Sequence, residues 1–304
     1  MIQHLSRAAI DAALWDQCIA QSTNRLLYAF SWYLDELGPW SALVKGDYEA
    51  VMPLPFRQKM GFKYLFIPFS AQQLGVFASN TLTPEEVTTF IEAIPKTYRF
   101  VDIRFNQSNP QGTISGEWIQ HRNQELDLNP SYEELRGKYG QNLKRNLKKA
   151  VKENWKVNVD AFGSETVVEM FRAYKGDLLP QLEEDFYSTL LRLAKVCASR
   201  KQAEVWTISG SDGNLTGGVL LFKDHQRIYS MLTAVNEPGR RGCAIHWLRD
   251  QMVQQYAGKP VVLDFEGSNE PGLARFNLQF GGKDCLYLQL RKNHLPRGIK
   301  WLKK

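Results

Sequence analysis

Two carboxylates stand at the end of an apolar segment in the carboxyl-terminal half of the chain. Asp264 and Glu266 belong to the run VVLDFEG, which has the composition of a buried strand and is followed by a Pro-Gly step. Residues two apart on a strand project to the same face. Such carboxylates repel each other, so either could have a raised pKa and take a proton from an amine nucleophile. The alternative is that one of them caps the next segment or pairs with an arginine.

A second candidate site precedes it in the sequence. The loop NEPGRRGCA, residues 236–244, lies between a predicted strand, RIYSMLTAV, and a predicted helix, CAIHWLRDQMVQQY. Gly239 and Gly242 would let the backbone approach a ligand, and the start of the helix would attract a phosphate or pyrophosphate. Arg240 and Arg241 could add charge-assisted bonds. A purely structural turn is the alternative. Ligands of open α/β sheets bind at the carboxyl ends of strands, where both candidates would lie.

The net charge of +6 is concentrated in a few segments. A basic amphipathic helix is predicted within residues 139–153, with an apolar stripe of Leu143, Leu147, Ala150 and Val151. Its cations could contact RNA phosphates, or they could form a solvated face; they include Lys144, Arg145, Lys148 and Lys149.

Several classes of protein lose support. The sequence contains no G-x-S-x-G, P-loop, G-x-G-x-x-G or H-E-x-x-H motif, and the five histidines form no cluster. The four cysteines lack metal-type spacing and are expected to be reduced. We therefore predict no metal site. Neither a membrane-spanning apolar window nor a signal peptide is recognised, so we expect a cytoplasmic protein.

The order of predicted elements indicates an α/β fold with an internal repeat. A first helix is expected from Ser6 to Ile19, and a helix that Thr83 caps precedes the strand FVDIRF. Both halves run strand, polar loop with proline, helix and strand, and each final strand carries an aspartate, Asp102 or Asp264. One α/β unit duplicated would explain this pattern; chance similarity of two α/β units is the alternative. The joint is expected near residues 129–134.

These segments together resemble the FemAB-like (peptidoglycan peptidyltransferase-like) branch of the GNAT acyltransferase superfamily. The resemblance extends from about Tyr132 to Leu290 and is architectural before that. It is carried by NLKRNLKKAVKENWKV, LTGGVLLFKDHQRIYSMLTAV, GRRGCAIHWLRDQMV and VVLDFEGSNEPGLARFNLQFGG. The family's D-F-x-G strand and final F-G match Asp264, Phe265, Gly267, Phe280 and Gly281. Two positions depart: Gly239 stands at the first position of the donor-loop pattern R/Q-x-x-G-x-G/A, and Asn277 stands nearest to the lysine of the peptidyltransferases.

The resemblance implies two tandem GNAT-like domains with mixed sheets flanked by helices, residues 1–130 and 131–304. It implies direct transfer of an acyl or aminoacyl group to an amine, without a covalent enzyme intermediate. The co-substrate would be acyl-CoA or aminoacyl-tRNA, with no permanently bound cofactor, and the acceptor a small-molecule or cell-wall-precursor amine. Asp264 and Glu266 would be catalytic, and Asn269 and Phe280 would contact the acceptor. The donor would lie against Glu237, Gly239, Arg240, Arg241, Gly242 and Ala244. A non-catalytic ligand- or RNA-binding protein with the same fold is the alternative.

Overall fold

The chain forms two compact units. In the computed structural model, which describes residues 1–176, 179, 182–267 and 269–296, unit 1 comprises Met1–His121 with the segment that begins at Leu286, and unit 2 comprises Arg122–Cys285. The sequence instead suggested a division between residues 130 and 131, with the whole carboxyl-terminal half in the second domain.

Helices and strands are interspersed along the chain. The strands are β1 (Ile2–Ser6), β2 (Trp40–Lys45), β3 (Ala50–Lys59), β4 (Phe62–Leu65), β5 (Phe77–Ala78), β6 (Tyr98–Arg104), β7 (Glu117–Asp127), β8 (Lys156–Asp160), β9 (Ala203–Ser209), β10 (Leu215–Lys223), β11 (Arg227–Val235), β12 (Val262–Asp264) and β13 (Lys283–Asn293). The helices are α1 (Ala12–Gln21), α2 (Ser31–Leu37), α3 (Pro84–Glu92), α4 (Tyr132–Gly137), α5 (Gln141–Ala150), α6 (Ser164–Lys175), α7 (Glu184–Ser199), α8 (Glu237–Arg241), α9 (Ala244–Tyr256) and α10 (Pro271–Leu278).

Each unit contains a mixed sheet with the same order of strands. In unit 1 the order is β1-β2-β3-β4-β6-β13, and β4 and β6 are the parallel pair. In unit 2 the order is β8-β9-β10-β11-β12-β7, and β11 and β12 are the parallel pair. The strands with Asp102 and Asp264 therefore occupy equivalent places, each between a parallel and an antiparallel neighbour. The predicted fold class, two tandem mixed α/β sheets, is confirmed, and the shared order supports the predicted repeat.

The outer strands explain why the units differ from the expected domains. β7 follows β6 in the sequence but pairs with β12, and β13 follows β12 but pairs with β6. Both β6 and β12 would otherwise present unpaired backbone groups along one edge. Each half of the sequence thus supplies the strand that completes the other sheet, and sequence order alone does not reveal this exchange.

Local capping fixes several helix boundaries. α1 begins at Ala12 rather than at Ser6, because the Asp11 carboxylate accepts hydrogen bonds from the N–H groups of Ala13 and Leu14 and because residues 2–6 form β1. α3 begins at Pro84 as predicted. There Thr83 and Glu86 form a reciprocal capping box.

Each unit has its own apolar core. In unit 1, Val87, Phe90 and Ile91 of α3 pack against residues of the sheet that include Leu65 and Val101. In unit 2, Ile245, Leu248 and Met252 of α9 pack with Leu143 and Leu147 of α5 over β10 and β11. Within the described part of the chain, no helix is long and apolar enough to cross a bilayer.

Candidate active site

The parallel strands of unit 2 separate after a short stretch of pairing. Among the described residues, pairing runs from Arg227 with Val262 to Tyr229 with Asp264, where β12 ends while β11 continues. β11 also carries a bulge: Leu220 faces Leu232 but Leu221 faces Ser230, which leaves Met231 as an extra residue. We call the gap between residues 230–235 and the end of β12 the notch. It lies at the carboxyl ends of its strands, where open α/β sheets bind ligands.

The loop beside the notch, residues 236–244, is largely helical. The Asn236 side chain accepts a hydrogen bond from the N–H of Gly239 at 2.9 Å and so begins α8. A Cβ atom on Gly239 would lie 2.5 Å from the carbonyl oxygen of Thr216, and one on Gly242 would lie 2.4 Å from Cζ2 of Trp155. Packing within the protein is thus sufficient to explain why neither position carries a side chain.

The charged side chains of this loop face solvent. Arg240 and Arg241 are exposed, and Arg241 forms a loose ion pair with Glu237, at 3.5 Å on the helix surface. Ala244 is completely buried in the core of unit 2. The residues of the loop that could meet a phosphate are therefore its arginines, with Glu237 as a competing partner of Arg241.

Asp264 is buried and fully engaged. It is 1% exposed. Its Oδ2 accepts from Nη1 of Arg227 at 2.9 Å, and its Oδ1 accepts from Asn123 Nδ2 and from the N–H of Glu266, each at 2.9 Å. Burial raises the pKa of Asp264 above its ordinary value, and the charge of Arg227 opposes that change. Pairing with an arginine, the alternative considered from the sequence, is what the structure contains.

Arg227 joins three strands. Besides Asp264 on β12, it binds Glu125 on β7. Burial acts to lower its pKa, but the neighbouring carboxylates, Asp264 first, raise it above the ordinary value. The guanidinium therefore stays charged and holds the end of β12 in place.

Glu266 does not share a strand face with Asp264, contrary to the prediction. β12 ends at Asp264, and Glu266 adopts the left-handed backbone conformation with φ of 51°. The turn is fixed because its N–H bonds Asp264 and because the next N–H, of Gly267, donates to Asn123 Oδ1 at 2.6 Å. The Glu266 side chain is half-buried. Of the two predicted carboxylates, it is the more accessible one.

Of the two predicted acceptor residues, one is exposed and the other is buried. Asn269 is exposed, and its Oδ1 accepts from the N–H of Arg122 at 3.0 Å. Phe280 is 0% exposed and packs against the rings of Tyr139 and Phe276. It supports the site from within the core and does not present a contact surface to an acceptor. Asn277, at the position compared with the family's lysine, is buried and donates to Gln124 Oε1 at 3.2 Å.

A cationic cleft lies near Asn269, whose Oδ1 accepts from the N–H of the lining residue Arg122. It has a volume of about 440 Å³ and lies beside α10, between that helix and the connection from α4 to α5. Three of its side chains are basic; its lining consists of Arg122, Lys138, Gly140, Pro271, Ala274, Arg275, Leu278 and Gln279. The charges suit a ligand with anionic groups.

The basic helix is confirmed as α5, Gln141–Ala150, followed by a 3-10 turn. Its stripe is buried at Leu143, Leu147 and Ala150, but Val151 is 57% exposed because the α-helix has ended. Arg145, Lys148 and Lys149 are exposed, whereas Lys144 is half-buried and donates to the carbonyl of Gly137 at 3.1 Å.

α5 packs beside the loop of residues 236–244. Asn146 Nδ2 lies 3.1 Å from Nε2 of His246 on α9. Burial raises the pKa of Cys243, and the charge of Lys149 opposes this, so Lys149 lies within electrostatic range of the loop. The exposed cations of α5 and the arginines of the loop therefore belong to one region of unit 2.

Sequence reasoning missed two basic residues near the notch. Burial lowers the pKa of Lys175 on α6, the charge of Arg240 lowers it further, and Glu270 acts to raise it. Arg249 on α9 is 3% exposed, and its Nη2 donates to Ser230 Oγ on β11 at 2.9 Å. No sequence motif marks either residue. An arginine within the otherwise apolar inner face of a predicted helix was the one available signal for Arg249.

Comparisons with known proteins bear on the fold. No protein-family model matches the sequence, and no curated protein matches it significantly. Among solved structures, FemX superposes with a TM-score of 0.68 at 12% identity, and the alignment covers 99% of each chain. This chain has the FemX fold. The FemAB-like resemblance drawn from the sequence is thereby confirmed at the level of the fold.

Two further structures share the FemX fold with this chain. A conserved protein of unknown function from Bacteroides thetaiotaomicron has a TM-score of 0.58 at 10% identity, over 96% of this chain and 100% of that one. L-PGS from Bacillus licheniformis has a TM-score of 0.52 at 14% identity, over 96% and 95%. At identities this low, the similarity establishes the fold and not the reaction.

Proposed function

We propose that this protein is an acyltransferase that moves an acyl or aminoacyl group from an activated donor to an amine. The observation that carries the proposal is the notch. It lies between a loop with two exposed arginines on one side and the turn with Glu266 on the other. A donor phosphate would meet Arg240 and Arg241, and the acyl group would extend toward the notch.

The donor could be an acyl-CoA or an aminoacyl-tRNA. Arg145, Lys148 and Lys149 are exposed on α5 beside the donor loop. A tRNA could reach both groups of cations, whereas the diphosphate of CoA would need the loop alone. We therefore favour aminoacyl-tRNA. The acceptor amine would enter from the cationic cleft near Asn269, which suits an acceptor that carries anionic groups, as a cell-wall precursor would.

The proposed chemistry is direct transfer. The amine nitrogen attacks the carbonyl carbon of the ester or thioester, the new C–N bond forms, and the C–O or C–S bond to the donor breaks. The amine proton passes to Glu266 and from there to the leaving group. Asp264 would act as a positioning residue, because its bonds to Arg227 and to the N–H of Glu266 hold the turn.

Substitutions separate these roles. Arg240→Ala or Arg241→Ala should weaken donor binding by roughly 1.5–3 kcal/mol, the scale of a charged hydrogen bond. Glu266→Gln should leave donor affinity nearly unchanged and reduce turnover by about 10²–10⁴, the scale of general base catalysis. Asp264→Asn should mainly lower the melting temperature. Wild-type turnover in the Glu266 variant and wild-type donor affinity in both arginine variants would refute the proposal.

A non-catalytic binding protein with the same fold is the second candidate. It is favoured by Asn277, which is buried where the family's peptidyltransferases carry a lysine. Native mass spectrometry of the purified protein, followed by incubation with radiolabelled aminoacyl-tRNA or acyl-CoA and a panel of amines, distinguishes the two. Binding of a donor without transfer to any amine would support this second candidate.

A further inference from the structure

A buried arginine lies in the notch, and none of the described residues supplies a counter-charge to it. Arg249 is 3% exposed, and its Nε and Nη1 have no hydrogen-bond partner in the part of the chain that the structure describes. Buried polar groups are satisfied in the great majority of native structures, so an exception calls for an explanation. The contrast with Arg227 is direct, since that half-buried guanidinium binds two carboxylates.

The geometry points the guanidinium across the notch. On one side, Nη2 donates to Ser230 Oγ at 2.9 Å and lies 3.4 Å from Thr233 Oγ1. Residues three apart on a regular strand face opposite sides of a sheet, but the bulge at Met231 brings both hydroxyls to the same side. On the other side, the ring centroid of Phe265, the residue after β12, lies 5.3 Å from Cζ. Arg249 therefore spans the place where the two parallel strands separate.

Nothing in the described parts of unit 2 neutralises this charge. Burial alone lowers the pKa of Arg249 to about 10, and no carboxylate acts on it. The side chain thus remains protonated at neutral pH. Asp250, the next residue, accepts hydrogen bonds from the hydroxyls of Tyr132 and Tyr139. Asp264 is bound by Arg227 and Asn123.

We propose that Arg249 binds a carboxylate carried by the acyl group of the donor, so that the preferred donors transfer acidic acyl groups. This rests on the proposed function, because it assigns the notch to the acyl group. Arg249 follows Ala244 by five residues on α9, about 7.5 Å along the axis at 1.5 Å per residue. The exposed Arg240 and Arg241 lie before this helix and would hold the donor's phosphates. A single buried guanidinium between two hydroxyls and a phenyl ring suits a small planar monoanion better than a phosphate dianion.

A binding experiment tests the site without requiring turnover. Monomethyl succinate carries an ester and one carboxylate, as an acidic acyl donor does, and methyl butyrate has the same chain length without the carboxylate. At matched ionic strength, monomethyl succinate should raise the melting temperature of the wild-type protein, and methyl butyrate should not. In Arg249→Met the dissociation constant of monomethyl succinate should rise by about 10- to 100-fold, the scale of a lost charge-assisted hydrogen bond.

Two further variants complete the design. Arg249→Lys keeps the positive charge but loses the planar guanidinium, so it should bind monomethyl succinate with intermediate affinity. This variant also covers the case in which Arg249→Met binds weakly only because it folds poorly. Arg192→Met removes an exposed arginine of α7 and should bind as the wild type does. Equal binding of both esters by the wild type, or equal binding of monomethyl succinate by the wild type and both Arg249 variants, would overturn the inference.

Transfer assays separate this inference from the proposed function. The transfer rates to compare are those from succinyl-CoA and acetyl-CoA, and those from glutamyl-tRNA and alanyl-tRNA. If neutral acyl groups are transferred as well as acidic ones and Arg249→Met changes neither rate, the enzyme is an acyltransferase and the inference about Arg249 is wrong. If monomethyl succinate binds through Arg249 but no donor is turned over, the carboxylate site is supported and the proposed function fails.

Discussion

Replacement of Arg227 by methionine should be among the most destabilising single changes in unit 2. Arg227 is a side chain with 16% exposure that binds Asp264, 1% exposed, and Glu125, 13% exposed. Methionine has similar length, but it removes the cation that the buried Asp264 and the half-buried Glu125 share. Removal of one partner from a buried ion pair costs about 3–5 kcal/mol, because the remaining charge is uncompensated. For a unit of this size the melting temperature should fall by about 2–4 °C per kcal/mol.

The pH dependence of this loss provides a second signature. Glu125 already acts to raise the pKa of Asp264 in the native protein. Without Arg227 the pKa of Asp264 in the folded state should rise further above its value in the unfolded chain. A carboxyl group whose pKa is higher in the folded state than in the unfolded chain stabilises the fold at low pH. This stabilisation is lost as the pH rises through the folded-state pKa. The stability difference between Arg227→Met and the wild type should therefore narrow as the pH falls from about 7.5 to about 5.

Calorimetric unfolding of the wild type and of Arg227→Met at several pH values measures this stability difference, and Arg122→Met is the matched control. Arg122 pairs with Asp284 on the surface, where the two side chains are 46% and 34% exposed. An exposed pair contributes about 0–1 kcal/mol, so this control should unfold close to the wild type. If Arg227→Met and Arg122→Met lowered the melting temperature equally, or if the loss did not depend on pH, the account of Arg227 as the charge that secures the end of β12 would be refuted.

Three further predictions concern other elements. Gly242→Ala should displace the Trp155 ring, because the new Cβ would lie 2.4 Å from Cζ2; a change in tryptophan fluorescence with weaker donor binding would show it, and an unchanged spectrum would contradict it. Thr83→Ala should cost about 0.5–2 kcal/mol through loss of the α3 cap, measurable by urea unfolding; wild-type stability would count against the capping box. If α5 binds tRNA, the affinity should fall steeply with salt, and this slope should flatten when glutamine replaces Lys144, Arg145, Lys148 and Lys149; an unaltered slope would leave α5 a solvated surface.

Local sequence patterns determined much of the secondary structure and the fold class. Thr83, Pro84 and Glu86 specify the start of α3 because they satisfy its first N–H groups without any distant partner. The leucines of α5 specify its buried face because their spacing matches one side of a helix. The internal repeat could be predicted from the sequence because strand, loop, helix and strand recur in the same order in both halves.

Only the tertiary structure decided which strands complete each sheet and what each charged group does. β7 pairs with β12, and β13 pairs with β6, so each covers a strand edge that would otherwise be unpaired. No local sequence pattern specifies these distant pairings. Asp264 and Arg227 are 37 residues apart, and Asn123 is 141 residues from Asp264. Through these contacts Asp264, which the sequence predicted to be a proton acceptor, is bound at the end of β12. Arg249 looked like an ordinary helix residue in the sequence. Its burial beside a bulge, with no counter-charge among the residues that the structure describes, makes it a candidate for binding, because desolvation and pairing depend on neighbours that the sequence does not place.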